Sequence, residues 1–177
     1  LALDCLLEAD VQRKLALTAA ASAAIASSAH WEDAADKPAI TAIPVPGRPP
    51  TPVLVPPNQL RQRKLNSTAG RAALVHAVAH IEFNAINLAW DAVYRFPGMP
   101  AEDYRDWASV AADEARHFQL LTTRLAELGH QYGDFPAHNG LWQMALATAD
   151  DVKVRMALVP RVLEARGLDV TPGMIER

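Results

Sequence analysis

Cysteine is nearly missing from this 177-residue chain: Cys5 stands alone, which excludes an internal disulfide and fits a reducing, cytoplasmic compartment. Charge of one sign is equally scarce. A net charge of −3 and a pI near 6.1 leave no footprint of a strongly nucleic-acid-binding surface. No apolar run has the length expected of a membrane span. Arg13-Lys14 and the Ala-rich stretch after them imitate a targeting signal, but acidic residues precede the basic pair and the helical pattern continues. Strand alternation, internal repeats, glycine-rich phosphate loops and Cys-x-x-Cys pairs are all absent.

Half of the residues are hydrophobic, rich in Ala and poor in aromatics, which favours packed helices over sheets. A first helix is expected from Asp4 to about Ala29, with Leu7, Val11, Leu15, Thr18 and Ser22 marking its turns. Between positions 44 and 57 stand seven of the thirteen prolines, so an extended strap replaces regular structure there. Arg61, Arg63, Lys64 and Arg71 then lead into a helix capped by Ser67 or Thr68 and stopped by Pro97-Gly98-Met99-Pro100. That basic cluster reads as a solvated helix entry or as a phosphate or RNA contact. The next helix runs from Ala101 to Leu128, before Gly129. A third long helix is expected from Leu141 to Arg166, kinked at Pro160, and Thr171-Pro172 opens another. The implied organisation is an N-terminal helix and turn over 1–37, a Pro-rich connector over 38–60 and an all-α, four-helix-bundle type domain over 61–177. The chain begins at Leu1 and ends seven residues into the last expected helix (171–177), as a piece of a longer protein would.

Two carboxylates fall on apolar stripes. Glu82 is flanked at helical offsets by Val75, Val78, Ala79, Ala85, Ile86 and Ala89. Glu114 and His117, three apart and so on one helix face, lie among Trp107, Val110, Ala111, Phe118 and Leu121. A short loop between antiparallel helices would bring Glu82 opposite Glu114, and Glu164 lies on the third helix. Buried acids and imidazoles are costly unless something needs them, and a metal is a common reason. Two Glu residues and a Glu-x-x-His make half of a carboxylate-bridged dinuclear site, whose oxygen and imidazole donors suit Fe or Mn. The second Glu-x-x-His is missing. The pattern alone is weak, since Glu127 and His130 match it across the helix-ending Gly129 and read as structural. His76 and His80 have a spacing that can bind a metal, yet His80 lies about 200° around the helix from Glu82 and reads as a core or surface residue. Asp113, Asn84 and Asp91 could orient imidazoles or simply make polar helix faces. Trp90, Tyr94, Trp107 and Trp142 read as core packing.

Asp113-Glu114-Ala115-Arg116-His117 resembles a recurring signature of ferritin-like di-iron carboxylate proteins. A longer set of segments is similar to the bacterial ferritin-like family of unknown function sometimes labelled rhodanese-related. These are Gly70 to Ala77, His80-Ile81-Glu82, Tyr132-Gly133-Asp134-Phe135, Leu163 to Asp169, Thr171-Pro172 and the strap Pro46-Gly47-Arg48-Pro49. The resemblance implies a ferritin-like bundle related in fold to the di-iron hydroxylase that modifies an isopentenylated adenosine in tRNA. It also implies Glu82, Glu114, His117 and Glu164 as ligands of a dinuclear Fe or Fe/Mn cofactor. Family members continue into a helix with another Glu-x-x-His, and this chain ends before it. The implied activity is O2-dependent hydroxylation or oxidation of a small molecule or modified nucleoside, with a non-catalytic scaffold and a ferroxidase as alternatives. A homo-oligomer is compatible with each. The rhodanese label finds no nucleophile loop around Cys5.

Overall fold

The computed structural model describes residues 1–28, 40–61 and 63–158. They form six α-helices: α1 (Ala2–Leu7), α2 (Val11–Ser27), α3 (Thr68–Arg95), α4 (Ala101–Glu127), α5 (Gly140–Ala147) and α6 (Val152–Met156), with a 3-10 turn at Pro57–Gln59. No strand occurs among the described residues, and the fold is an all-α bundle.

α3 and α4 form its spine, an antiparallel hairpin whose ends follow local chemistry. Ser67 caps α3 by accepting from Gly70 N–H at 3.0 Å. The turn between the helices places Gly98 at φ 82°, where a Cβ would be strained. Tyr104 fastens that turn, donating to Phe96 O at 2.8 Å and accepting from Met99 N–H at 3.1 Å. Gly129, at φ 77°, closes α4. α2 packs along α4, while α1 and α5 pack against α3. Phe83, Ile86, Trp90, Phe118, Leu125 and Trp142 fill the shared core. Tyr94 and Trp107 pack partly buried against it.

Two helices differ from expectation for one reason: an acidic side chain captures backbone N–H groups and starts a new helix. The stretch from Asp4 to Ala29 is not continuous. Glu8 turns extended and Asp10 caps α2, accepting from Arg13 N–H at 2.9 Å. The corner directs the C-terminal carbonyls of α1 at Lys14. Likewise the helix expected from Leu141 to Arg166 stops at Ala147, and Asp151 recaps α6 by accepting from Lys153 and Val154 N–H. Its continuation through Pro160 and Glu164, and the helix expected at Thr171-Pro172, lie outside the described residues.

The Pro-rich connector is extended and lies over the helices as a strap. Gly47 N–H donates to Leu6 O at 2.8 Å, and Trp142 Nε1–H donates to Pro44 O at 3.1 Å. Farther on, Val55 N–H donates to Ala137 O and Ala137 N–H to Val53 O, an isolated parallel bridge. α3 corrects one expectation, being long and apolar enough to cross a membrane. Just over half of its most apolar window is buried inside the protein (56%), so that apolarity serves the core.

Candidate metal centre

Glu82 projects from the middle of α3, and Glu114 and His117 from α4. Because the helices run antiparallel, one ligand atom from each of the three residues falls within 4.8 Å of the others. His117 Nδ1 lies 3.2 Å from Glu114 Oε2 and 3.9 Å from Glu82 Oε2. Donor atoms about 2.1 Å from a shared cation would stand roughly 3.0–3.6 Å apart at ordinary coordination angles. The Glu114–His117 pair already has that separation, and Glu82 needs only a small side-chain rotation.

The cluster is half-buried rather than enclosed. Side-chain exposure is 20% at Glu82, 18% at Glu114 and 42% at His117, and Val110 of the expected stripe is exposed. Helix geometry explains the difference. Buried Ala108, Ala111, Ala115 and Phe118 lie about 40–120° around α4 from Glu114, which places Glu114 and His117 on the flank of the packed stripe. The packed stripe next to this flank carries a group of rings. Phe83 follows Glu82, Phe118 follows His117, and their centroids are 5.5 Å apart with Tyr132 at 5.7 and 5.0 Å. The cluster thus sits beside the packed core with one side open to solvent.

On that open side Arg116 Nη2 stands 2.9 Å from His117 Nε2 and 3.7 Å from Asp113 Oδ1. Arg116 donates to Nε2, so Nδ1 carries the ring proton and donates to Glu114. Asp113 thus reaches the cluster only through Arg116. Glu164 lies outside the described residues. The decoy pair is separate, with Glu127 bound to Arg124 and His130 to Asp134 at 3.3 Å.

The other candidates occupy different places. His76 and His80 are buried beneath Tyr132, on the far side of α3 from Glu82. His76 Nε2 accepts from Gly133 N–H at 3.0 Å. His80 Nδ1 lies 2.9 Å from Tyr132 Oη and its Nε2 3.2 Å from His138 O. Desolvation pulls the His80 pKa down to about 4 and raises that of Tyr132, so Tyr132 donates to a neutral ring. Asn84 donates to His80 O at 2.8 Å, and Asp91 pairs with Arg95 and Arg155 about 13 Å along α3 from Glu82.

Lys14, in sequence only the second member of a signal-like basic pair, is fully buried. Its Nζ donates to Cys5 O at 2.6 Å and Asn87 Oδ1 at 2.7 Å. Lys14, Thr18, Ala21 and Ile25 recur at core spacing along α2, and that periodicity is the signal for it.

No solved structure matches the chain. A Haemophilus influenzae protein described as "Uncharacterized protein" is 52% identical over 136 residues, a match covering 73% of this chain and 47% of that relative. The chain therefore spans about half the length of the curated relative it matches. Over residues 7–177 it matches the family described as "Protein of unknown function (DUF455)", and it belongs to that family.

Proposed function

We propose that this chain carries part of a ferritin-like, dinuclear carboxylate metal site, and that the intact protein is an O2-using hydroxylase or oxidase. The observation that carries the reading is the convergence of Glu82, Glu114 and His117 across the α3–α4 hairpin. Two carboxylates and one imidazole fit ferrous iron or manganese better than a thiolate-seeking metal. Glu164 and donors from a further Glu-x-x-His would complete two coordination spheres. An iron pair, or iron with manganese, would supply dioxygen activation there.

The chain's own residues do the rest. Glu82 and Glu114 neutralise cationic charge on the half-open flank. Phe83 and Phe118, each next in sequence to a residue of the cluster, pack in the core beside it. Arg116 sets a proton condition. A metal on His117 Nδ1 requires the ring proton on Nε2, where Arg116 now donates, so Arg116 would turn to Asp113. One observation favours a non-catalytic scaffold instead: His117 and Glu114 already satisfy each other at 3.2 Å.

Metal analysis of the full-length protein after anaerobic loading with Fe(II) or Mn(II) separates the two readings. The expected result is bound metal that falls about tenfold or more in Glu114→Ala and His117→Ala, each still folded. Full-length protein without bound metal, and indifferent to Glu114→Ala in stability and activity, would leave the scaffold reading standing.

A further inference from the structure

Behind α3, on the side away from Glu82, lies a cavity of about 430 Å³. Its walls are apolar: Leu60 from the strap, Ala77 and Ile81 from α3, Phe135 and Leu141 from the segment after α4. Relative to Glu82, the lining positions Ala73, Ala77, His80 and Asn84 lie about 140–180° around the helix, so this space is distinct from the metal cluster. The polar groups at the cavity are cationic or neutral. Arg61 and Arg63 stand at its mouth, His80 and Asn84 on its floor and His138 at its side. No Asp or Glu is among the described residues that line it. Arg63 stacks over Phe135 with its guanidinium carbon 5.1 Å from the ring centroid. Arg48 adds positive potential at His80 and Tyr132.

We propose that this cavity binds a small organic anion, a carboxylate or phosphate ester whose apolar body fills the pocket while Arg61 and Arg63 hold its charged head. The volume suits such a molecule. Two arginines lining an apolar cavity, with no acid among its described lining residues, are unfavourable to a cation and suit an oxyanion, which a guanidinium can grip in bidentate fashion. The floor is fixed, since both ring nitrogens of His80 are engaged, by Tyr132 Oη and His138 O. Specificity then rests on the arginines for the charge and on Phe135 and Ile81 for the body.

Calorimetric titration of the full chain with phenyl phosphate, benzoate, benzyl alcohol and benzylamine, in the presence of a chelator, tests the assignment. One or both anions should bind about tenfold or more tightly than benzyl alcohol, weaken with salt, and bind better than benzylamine. Preference for phenyl phosphate identifies a phosphate ester, and preference for benzoate a carboxylate. Arg61→Ala/Arg63→Ala should erase the preference. Ala77→Phe, which fills the cavity, should abolish binding while thermal unfolding shows the chain still folded. The proposal is overturned if benzyl alcohol binds as well as the anions, or if no probe binds at about 10 mM. It is equally overturned if binding survives Ala77→Phe or requires added metal, the last placing the anion at the Glu82 cluster instead.

Discussion

Lys14 shows how one side chain can be held charged in a core. Burial lowers its pKa from 10.5 to about 8, while hydrogen bonds from Nζ to Cys5 O, Leu6 O and Asn87 Oδ1 keep the ammonium partnered. Below about pH 8 it is protonated in both folded and unfolded chains, and the cost of burying the charge is fully present. Between about 8 and 10.5 only the unfolded chain keeps the proton, so the Lys14 contribution to stability should climb with pH by at most about 1.4 kcal/mol per unit. Cys5 and Tyr132, whose burial pushes their pKa values up, act in the opposite sense in that window, so denaturant titrations should show the natural chain gaining stability relative to Lys14→Met as pH rises, rather than a net climb. At pH 7 Lys14→Met should cost about 1–3 kcal/mol, because it leaves the Cys5 carbonyl and the Asn87 amide unpaired. Lys14→Met/Asn87→Leu should cost less than Lys14→Met alone, since Asn87 Nδ2 is already unsatisfied and the second change removes an unpaired group.

At the scale of elements, the short α6 depends on α3. Arg155 reaches back to Asp91 at 2.7 Å, Thr148 Oγ1 at 2.6 Å and Ala145 O at 2.6 Å, all in the interior. Asp91 also takes Arg95 in a two-pronged grip and so balances two guanidiniums. Asp91→Ala should destabilise the protein by about 3–5 kcal/mol, because it strands the fully buried Arg155 without a counter-charge. Arg95→Ala should cost clearly less, since Asp91 would still hold Arg155; chemical denaturation of the two variants checks the order. Little of this network was legible in the sequence. Asp91 read either as a group that orients an imidazole or as one more polar residue on a helix face, and its partner Arg155 lies 64 positions away. By contrast, the ends of α3 and α4 were legible because Ser67, Gly98 and Gly129 act within a turn of their own positions.

Across the whole molecule the strap fastens distant parts together, from α1 at Gly47, through Trp142 of α5 at Pro44, to the segment after α4 at Ala137. At Gly47 the strap lies tight against α1, where a Cβ would collide with the Glu8 backbone oxygen and the Leu7 backbone. Gly47→Ala should therefore lift the strap from α1, lower stability by about 2 kcal/mol or more, and open residues 40–60 to limited proteolysis. The same scale sets the character of the candidate site. The spacing of Glu82, Glu114 and His117 foretold that they would meet, but not that they would meet on a flank with one open side.

The sequence by itself determined the helical class, the α3–α4 hairpin and the meeting of Glu82 and Glu114 with His117. Caps, breakers and a 3.6-residue period act locally and leave few alternatives. Only the tertiary structure decided the breaks at Asp10 and Asp151, the burial of Lys14 and Arg155, and the arginine-rimmed cavity behind α3. Each of those depends on partners far apart in the chain, whose proximity no local rule encodes until the helices have packed.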